Sequence, residues 1–391
     1  MQSDVARRLE GLDTADFSAT SALGQEIQHR ASAGDLDWAA TLGVEVVRLA
    51  AGEGEGRSAY LYLLDRVQTV LASVPGRRSL CALMRVPVSL SPGGSSQVTA
   101  ERRLAQMVAS GHRAEDIVRV VYGREPGTAA THEFKACLLH EMVFEAVPIT
   151  EYPALQSFGE RLADEEHPLA VLPLHLLPTE RGLRRPPHAP RDWTWALPPS
   201  TVAQHSDQAT LKVSSEMRRR NAEVDPAEIT VAEVAEVMGA AVHHWREQSN
   251  GMVAAQEFWS AVPVSPDDFA AVFERLPLTA WPEAAVTARL HSASADRVLT
   301  VLLTAAVRSP AYGPGLNRAY GRLAAWRSLG GLVGAPADAV IDHIAAMVEQ
   351  TRWFIADPSS DWFHQVVWDL AVAALRPDRH EIAVLTATDT D

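Results

Sequence analysis

Eight prolines between His167 and Ser200 constrain this chain more than any other feature; they stand at positions 168, 173, 178, 186, 187, 190, 198 and 199. Proline has no backbone N–H to give to a helix or a central strand, and it drives the residue before it out of the helical region. Segment 167–226 therefore predicts an extended, proline-rich connector with a domain on either side. The length, 391 residues, agrees, because domains of roughly 100–200 residues are the norm. The division expected is a helical-hairpin domain over 1–166, the connector over 167–226 and an α+β domain over 227–391.

Upstream of the connector the apolar residues recur at helical spacing, broken by short Gly, Pro or Ser clusters. Helices are predicted over Ala22–Ser32, Leu36–Ala51, Ser58–Ser73, Arg77–Val86, Thr99–Ser110, Ala114–Tyr122, Thr131–Val147 and Tyr152–Ala163. Asp35, Thr99 and Thr131 are the predicted N-caps, since their side-chain oxygens can accept from helix-start N–H groups. Such hairpins either stack as a solenoid or close as a bundle, and no repeat of constant period decides between them. Downstream, a helix over Val231–Glu247 leads through Asn250-Gly251 into a strand over Met252–Val262. Helices follow over Asp267–Arg275, Asp296–Arg308, Leu316–Leu329 and Ala337–Arg352. The tail predicts an antiparallel hairpin of Val366–Leu375 and Glu381–Thr388, with a helix over Trp362–Leu375 as the alternative. The fold class is mainly α, with a smaller α+β domain in second place.

Composition narrows the partners. Hydrophobic residues make up 47% and charged residues 21%, which is enough apolar material for a packed core. The net charge of −14 repels phosphate backbones and anionic membrane surfaces. Two cysteines, Cys81 and Cys137, are too few for a disulfide framework and predict a reducing compartment. The start of the chain lacks the basic-then-apolar order of a signal peptide, and the longest apolar run, near Val298–Val307, is shorter than a membrane span. A cytoplasmic location with no membrane partner is expected.

Phosphate loops, nucleophile elbows and His-Glu-x-x-His zinc helices are absent from the sequence. Within Thr131–Val147, Glu133, Cys137, His140 and Glu141 fall three and four residues apart, so one helix face presents them together. Thiolate, imidazole and carboxylate are the ligand types of zinc, and this face is the metal candidate, set against a buried structural thiol. Asp389 and Asp391 would share one side of a strand and form a candidate for a hard cation, set against a solvated chain end. Arg181, Arg184, Arg185 and Arg191, beside Trp193 and Trp195, form a candidate anion site. Arg218-Arg219-Arg220 is a second arginine cluster that could grip phosphate, set against pairing with surrounding acids; His364 could act as a base, set against a core-edge histidine; His243-His244-Trp245 reads as a packed tryptophan with one histidine at the surface.

Trp362-Phe-His-Gln-Val-Val-Trp-Asp-Leu, Ala374-Leu-Arg-Pro, Ala383-Val-Leu-Thr-Ala-Thr-Asp-Thr-Asp and Thr131-His-Glu-Phe-Lys-Ala-Cys-Leu-Leu-His-Glu-Met-Val resemble an actinobacterial family known only as a domain of unknown function. The resemblance implies no activity, substrate or cofactor. Without a catalytic signature, the chain reads as a non-catalytic protein-interaction or scaffold protein that takes a protein partner or forms a homo-oligomer, and no cofactor is expected. The alternatives are a divalent-metal-dependent hydrolase at Cys137 and His140, and anion or nucleic-acid binding by the arginines.

Overall fold

The computed structural model describes residues 2–50, 56–89, 95–123, 130–183, 210–282, 289–364 and 368–390. They form two compact units, Met1–Ala170 and Val171–Asp391.

The first unit is helical. Its elements are α1 (Gln2–Glu10), α2 (Phe17–Ser32), α3 (Leu36–Ala50), α4 (Arg57–Ser73), α5 (Arg77–Leu83), α6 (Ser95–Gly111), α7 (Ala114–Ile117), α8 (His132–Phe144) and α9 (Pro153–Asp164). A π-helical turn, Val118–Tyr122, completes the stretch expected as one helix from Ala114. The main helix contacts link neighbours one or two places apart along the chain. Thr131 caps α8 as expected, its hydroxyl accepting from Phe134 N–H at 3.1 Å. Thr99 lies inside α6 and is no cap, because the helix already starts at Ser95. Asp16, whose side chain accepts from Ser18 N–H, caps α2 instead. The end of α6 runs tightly over the end of α4: a Cβ on Gly111 would stand 2.0 Å from the Ala72 carbonyl oxygen.

The second unit holds α10 (Ser215–Arg220), β1 (Ala227–Glu228), α11 (Ala232–Met238), α12 (His243–Gln248), β2 (Met252–Trp259), α13 (Phe269–Phe273), β3 (Leu290–Ala293), α14 (Ala295–Val307), α15 (Asn317–Leu332), α16 (Ile341–Gln350), β4 (Arg352–Ala356), β5 (Trp368–Leu375) and β6 (Glu381–Asp389). The strands build one antiparallel sheet in the order β1-β2-β6-β5-β4-β3. The expected C-terminal hairpin is its centre, with Leu375 opposite Ile382 and Trp368 opposite Asp389. Residues 368–375 are strand, so the helical alternative fails. Phe269 and Phe273 of α13, with Trp281 and Phe363, cover one face over Phe258, Phe354, Ala371, Ala373, Ile382 and Val384. Helices α14 and α15 also pack against the strands. The inner strands are buried at almost every residue, as in sheets covered on both sides.

One expectation for this half is corrected: the helix over Val231–Glu247 is two short helices, α11 and α12, because α11 ends at Gly239. The described parts of 167–226 hold 3-10 turns at Pro168–Val171 and Pro178–Leu183, an antiparallel bridge of Thr210 to His291, and α10. The second unit takes in the chain from Val171 onward, and a buried clamp ties that stretch to α15. Arg322 of α15 grips both carboxylate oxygens of Glu180, at 2.6 and 2.8 Å, and the carbonyls of Pro173 and His175. Trp326 donates to the same carboxylate at 2.7 Å, and so does Leu177 N–H at 2.8 Å.

Candidate binding site

Helix α8 does present Glu133, Cys137, His140 and Glu141 toward the interior, and the last three are fully buried. Glu133 is the centre of a polar knot. Its Oε1 accepts from Arg102 Nε of α6 at 3.0 Å and lies 3.6 Å from the Cys137 sulfur, and its Oε2 lies 3.2 Å from His167 Nε2. Leu169 N–H donates to His167 Nδ1 at 3.2 Å, so the proton of a neutral His167 sits on Nε2 and is given to Glu133. His132 pairs with Glu165 at 2.9 Å, and its ring meets those of Phe158 and His167.

Burial dominates the electrostatics of this knot. Burial raises the Cys137 thiol far above its usual range, and the nearby Glu133 charge raises it further. In this environment the thiol keeps its proton at neutral pH. The Tyr122 hydroxyl is raised by burial as well, and it donates to the Lys135 carbonyl at 2.7 Å. Among the described residues no three His, Cys, Asp or Glu side chains gather as a metal site.

On the same helices lies a cleft of about 270 Å³, between residues 83–89, α6 and the start of α8. Leu83, Met84, Val86, Val88, Leu104 and Phe134 make its walls, while Arg85, Ser89, Gln97 and Thr131 add polar atoms. The strip that forms one wall is held rigidly. Gln68, buried on α4, donates from its amide to the Pro87 and Val88 carbonyls at 3.0 and 2.9 Å. A second cleft, about 490 Å³, lies in the other unit beside Glu228, Gln256, Glu274, Arg275 and Trp281. Its Glu274 is already held in a two-pronged pair by Arg218, at 2.8 and 2.9 Å.

The remaining candidates separate. Asp389 is fully buried rather than solvated, and its Oδ2 accepts from Ala311 N–H at 2.6 Å; Asp391 lies outside the described residues. Arg181 is exposed on a 3-10 turn, whereas Arg184, Arg185, Arg191, Trp193 and Trp195 lie outside the described residues. Arg218, Arg219 and Arg220 are spent on Glu274, Glu216 and Asp268. His364 is exposed. His244 is buried, and burial lowers its pKa to about 4, with the Arg308 carbonyl and the Asp389 charge opposing the shift.

Compared with known families, residues 21–391 match the model of a family of unknown function, DUF6183. The chain belongs to that family. The match takes in both units of this DUF6183 member and leaves out α1, and it confirms the kinship read from the motifs. No curated protein and no solved structure matches the chain. DUF6183 membership assigns no function, so roles in the site rest on geometry.

Two groups of residues were not singled out by sequence. Gln68 sits mid-helix with no local signal of its role, which comes from carbonyls 19 and 20 residues away. The Glu180–Arg322 pair spans 142 residues. A lone glutamate beside a proline and an arginine amid α15 carries no pattern that joins them.

Proposed function

We propose that this chain is a non-catalytic protein-interaction module of the bacterial cytoplasm, whose solenoid-like first unit takes an apolar side chain of a partner protein into the cleft beside α6 and α8. The observation that carries the reading is the size and lining of that cleft. About 270 Å³ of mostly apolar space is below the roughly 300–1,000 Å³ that cofactor and drug-sized ligands need, and it suits one or two large side chains. Its wall is anchored by the two Gln68 hydrogen bonds, which lowers the ordering cost of binding. Glu133 of α8 is already engaged by Arg102, Cys137 and His167 in the polar knot, which supports a binding role over hydrolysis. Both cysteines are free thiols, in keeping with a reducing compartment. No helix among the described residues is long and apolar enough to cross a membrane.

The test is a photo-reactive amino acid at Ser89, on the cleft wall, in the native host. The expected result is one discrete covalent adduct with a partner protein, lost when Val88→Arg fills the cleft. Irradiation that yields no adduct, or an adduct indifferent to Val88→Arg, overturns the reading.

A further inference from the structure

The cleft of about 490 Å³ in the second unit lies within the roughly 300–1,000 Å³ of small-molecule sites, unlike the smaller one beside α6 and α8. It is lined by the strip that follows α13, and that strip is fixed in place. Gln256, buried on β2, donates from its amide to the Pro277 carbonyl at 3.2 Å and accepts from Thr279 N–H at 2.8 Å. Leu276 and Leu278, on either side of Pro277, are anchored in the core. Trp281 ends the strip, its ring centroid 5.8 Å from that of Phe273 and 5.1 Å from that of Phe363. Among the described residues its buried indole N–H has no acceptor, and folded proteins seldom leave such a donor unpaired.

Glu228, Glu274 and Arg275 bring charge to the lining. The Glu274 charge is already answered by the two-pronged pair with Arg218. Glu228 and Arg275 are exposed, and among the described residues neither belongs to an ion pair. The side-chain bond that reaches Glu228 comes from the Thr230 hydroxyl, at 2.8 Å. One negative and one positive group thus border the same cleft without pairing with each other. A simple anion entering it would be repelled by Glu228, and a simple cation by Arg275; a molecule that carries both charges satisfies each.

We propose that this cleft binds a small zwitterion: an amino acid, or a short peptide with both ends free, that has an apolar side chain. Its carboxylate pairs with Arg275, whose guanidinium fork suits a two-pronged contact. Its ammonium pairs with Glu228, and its side chain rests against Pro277, Trp281 and Pro282 of the lining. Because Gln256 and the two buried leucines already hold the strip, little chain ordering opposes binding. The inference uses the second unit only and stands independently of the cleft in the first.

Isothermal titration calorimetry of the full chain with leucine, leucylleucine, N-acetylleucine and leucinamide tests it. Leucine or leucylleucine is expected to bind, and the tighter of the two tells an amino-acid site from a peptide site. Removing the ammonium (N-acetylleucine) or the carboxylate (leucinamide) should weaken leucine binding at least about tenfold, the scale of one charge-assisted hydrogen bond. Arg275→Gln should weaken leucine by a similar factor and leave leucinamide unchanged, while Glu228→Gln weakens leucine and leaves N-acetylleucine unchanged. Both side chains are exposed, so both variants should melt as the wild type does. No binding of either zwitterion up to about 10 mM overturns the inference, and so does binding that both variants leave intact. Should a variant misfold, N-acetylleucine and leucinamide that bind the wild type as tightly as leucine overturn it as well.

Discussion

His244 shows how one buried side chain makes this fold sensitive to acid. The ring is 2% exposed, its Nε2 lies 3.4 Å from the Arg308 carbonyl, and burial lowers its pKa to about 4. The unfolded chain binds the proton first, near the ordinary value of about 6.5. Stability is thus fully present above that pH and is lost as pH falls toward 4, by about 3 kcal/mol at the lower limit. Urea unfolding at neutral pH and at pH near 4 measures this directly. His244→Leu is expected to flatten the difference, and an equal acid loss in wild type and variant would show that another group is responsible. Cys137 and Glu133 teach a related lesson. Their spacing on one helix face was legible in the sequence, but their chemistry was not. It depends on Arg102 and His167, 31 and 34 residues from Glu133, and on a degree of burial that no local pattern encodes.

At the scale of elements, the helices of the first unit were the most legible part of the molecule. Apolar residues at a 3.6-residue period mark α2, α3 and α4 because each buries mainly one stripe, whereas α8 is buried on all sides from Ala136 to Phe144 and was marked by its Thr131 cap and its length. What separates these helices is set by close contacts. Gly111 is one: any side chain there collides with the Ala72 carbonyl of α4. Gly111→Ala should push the end of α6 outward and destabilise the first unit by about 1–3 kcal/mol, the usual range for overpacking; chemical denaturation would register it, and an unchanged midpoint would mean the contact yields freely. Strands were harder to read. The β5–β6 hairpin was visible because Arg376-Pro-Asp-Arg-His380 breaks two β-favouring runs. Strand β4 was not, since with both faces covered Trp353, Phe354, Ile355 and Ala356 are all buried and carry no alternation, and the apolar pattern of α16 runs straight into it.

The whole molecule has two units with separate cores, and this predicts its unfolding. Glu180→Ala would leave the guanidinium of Arg322 buried and unpaired, a loss of about 3–5 kcal/mol for such pairs. Scanning calorimetry is expected to show two transitions, with Glu180→Ala lowering one and Gly111→Ala the other; a single transition shifted by both would mean the units unfold together. The same clamp was not legible in the sequence: local rules cannot show that the chain around Glu180 is tied down, because its partners Arg322 and Trp326 lie more than 140 residues away. The sequence by itself determined the mainly helical class, the helical first half, the C-terminal hairpin and the family, all of which rest on periodicity, turn chemistry or motif wording within short windows. Only the tertiary structure decided the six-stranded sheet, the polar knot around Glu133 and the cleft walled by Val86, Val88 and Phe134. Each of these depends on which distant segments meet, and burial and hydrogen bonding between segments far apart in the chain leave no periodic trace in either one.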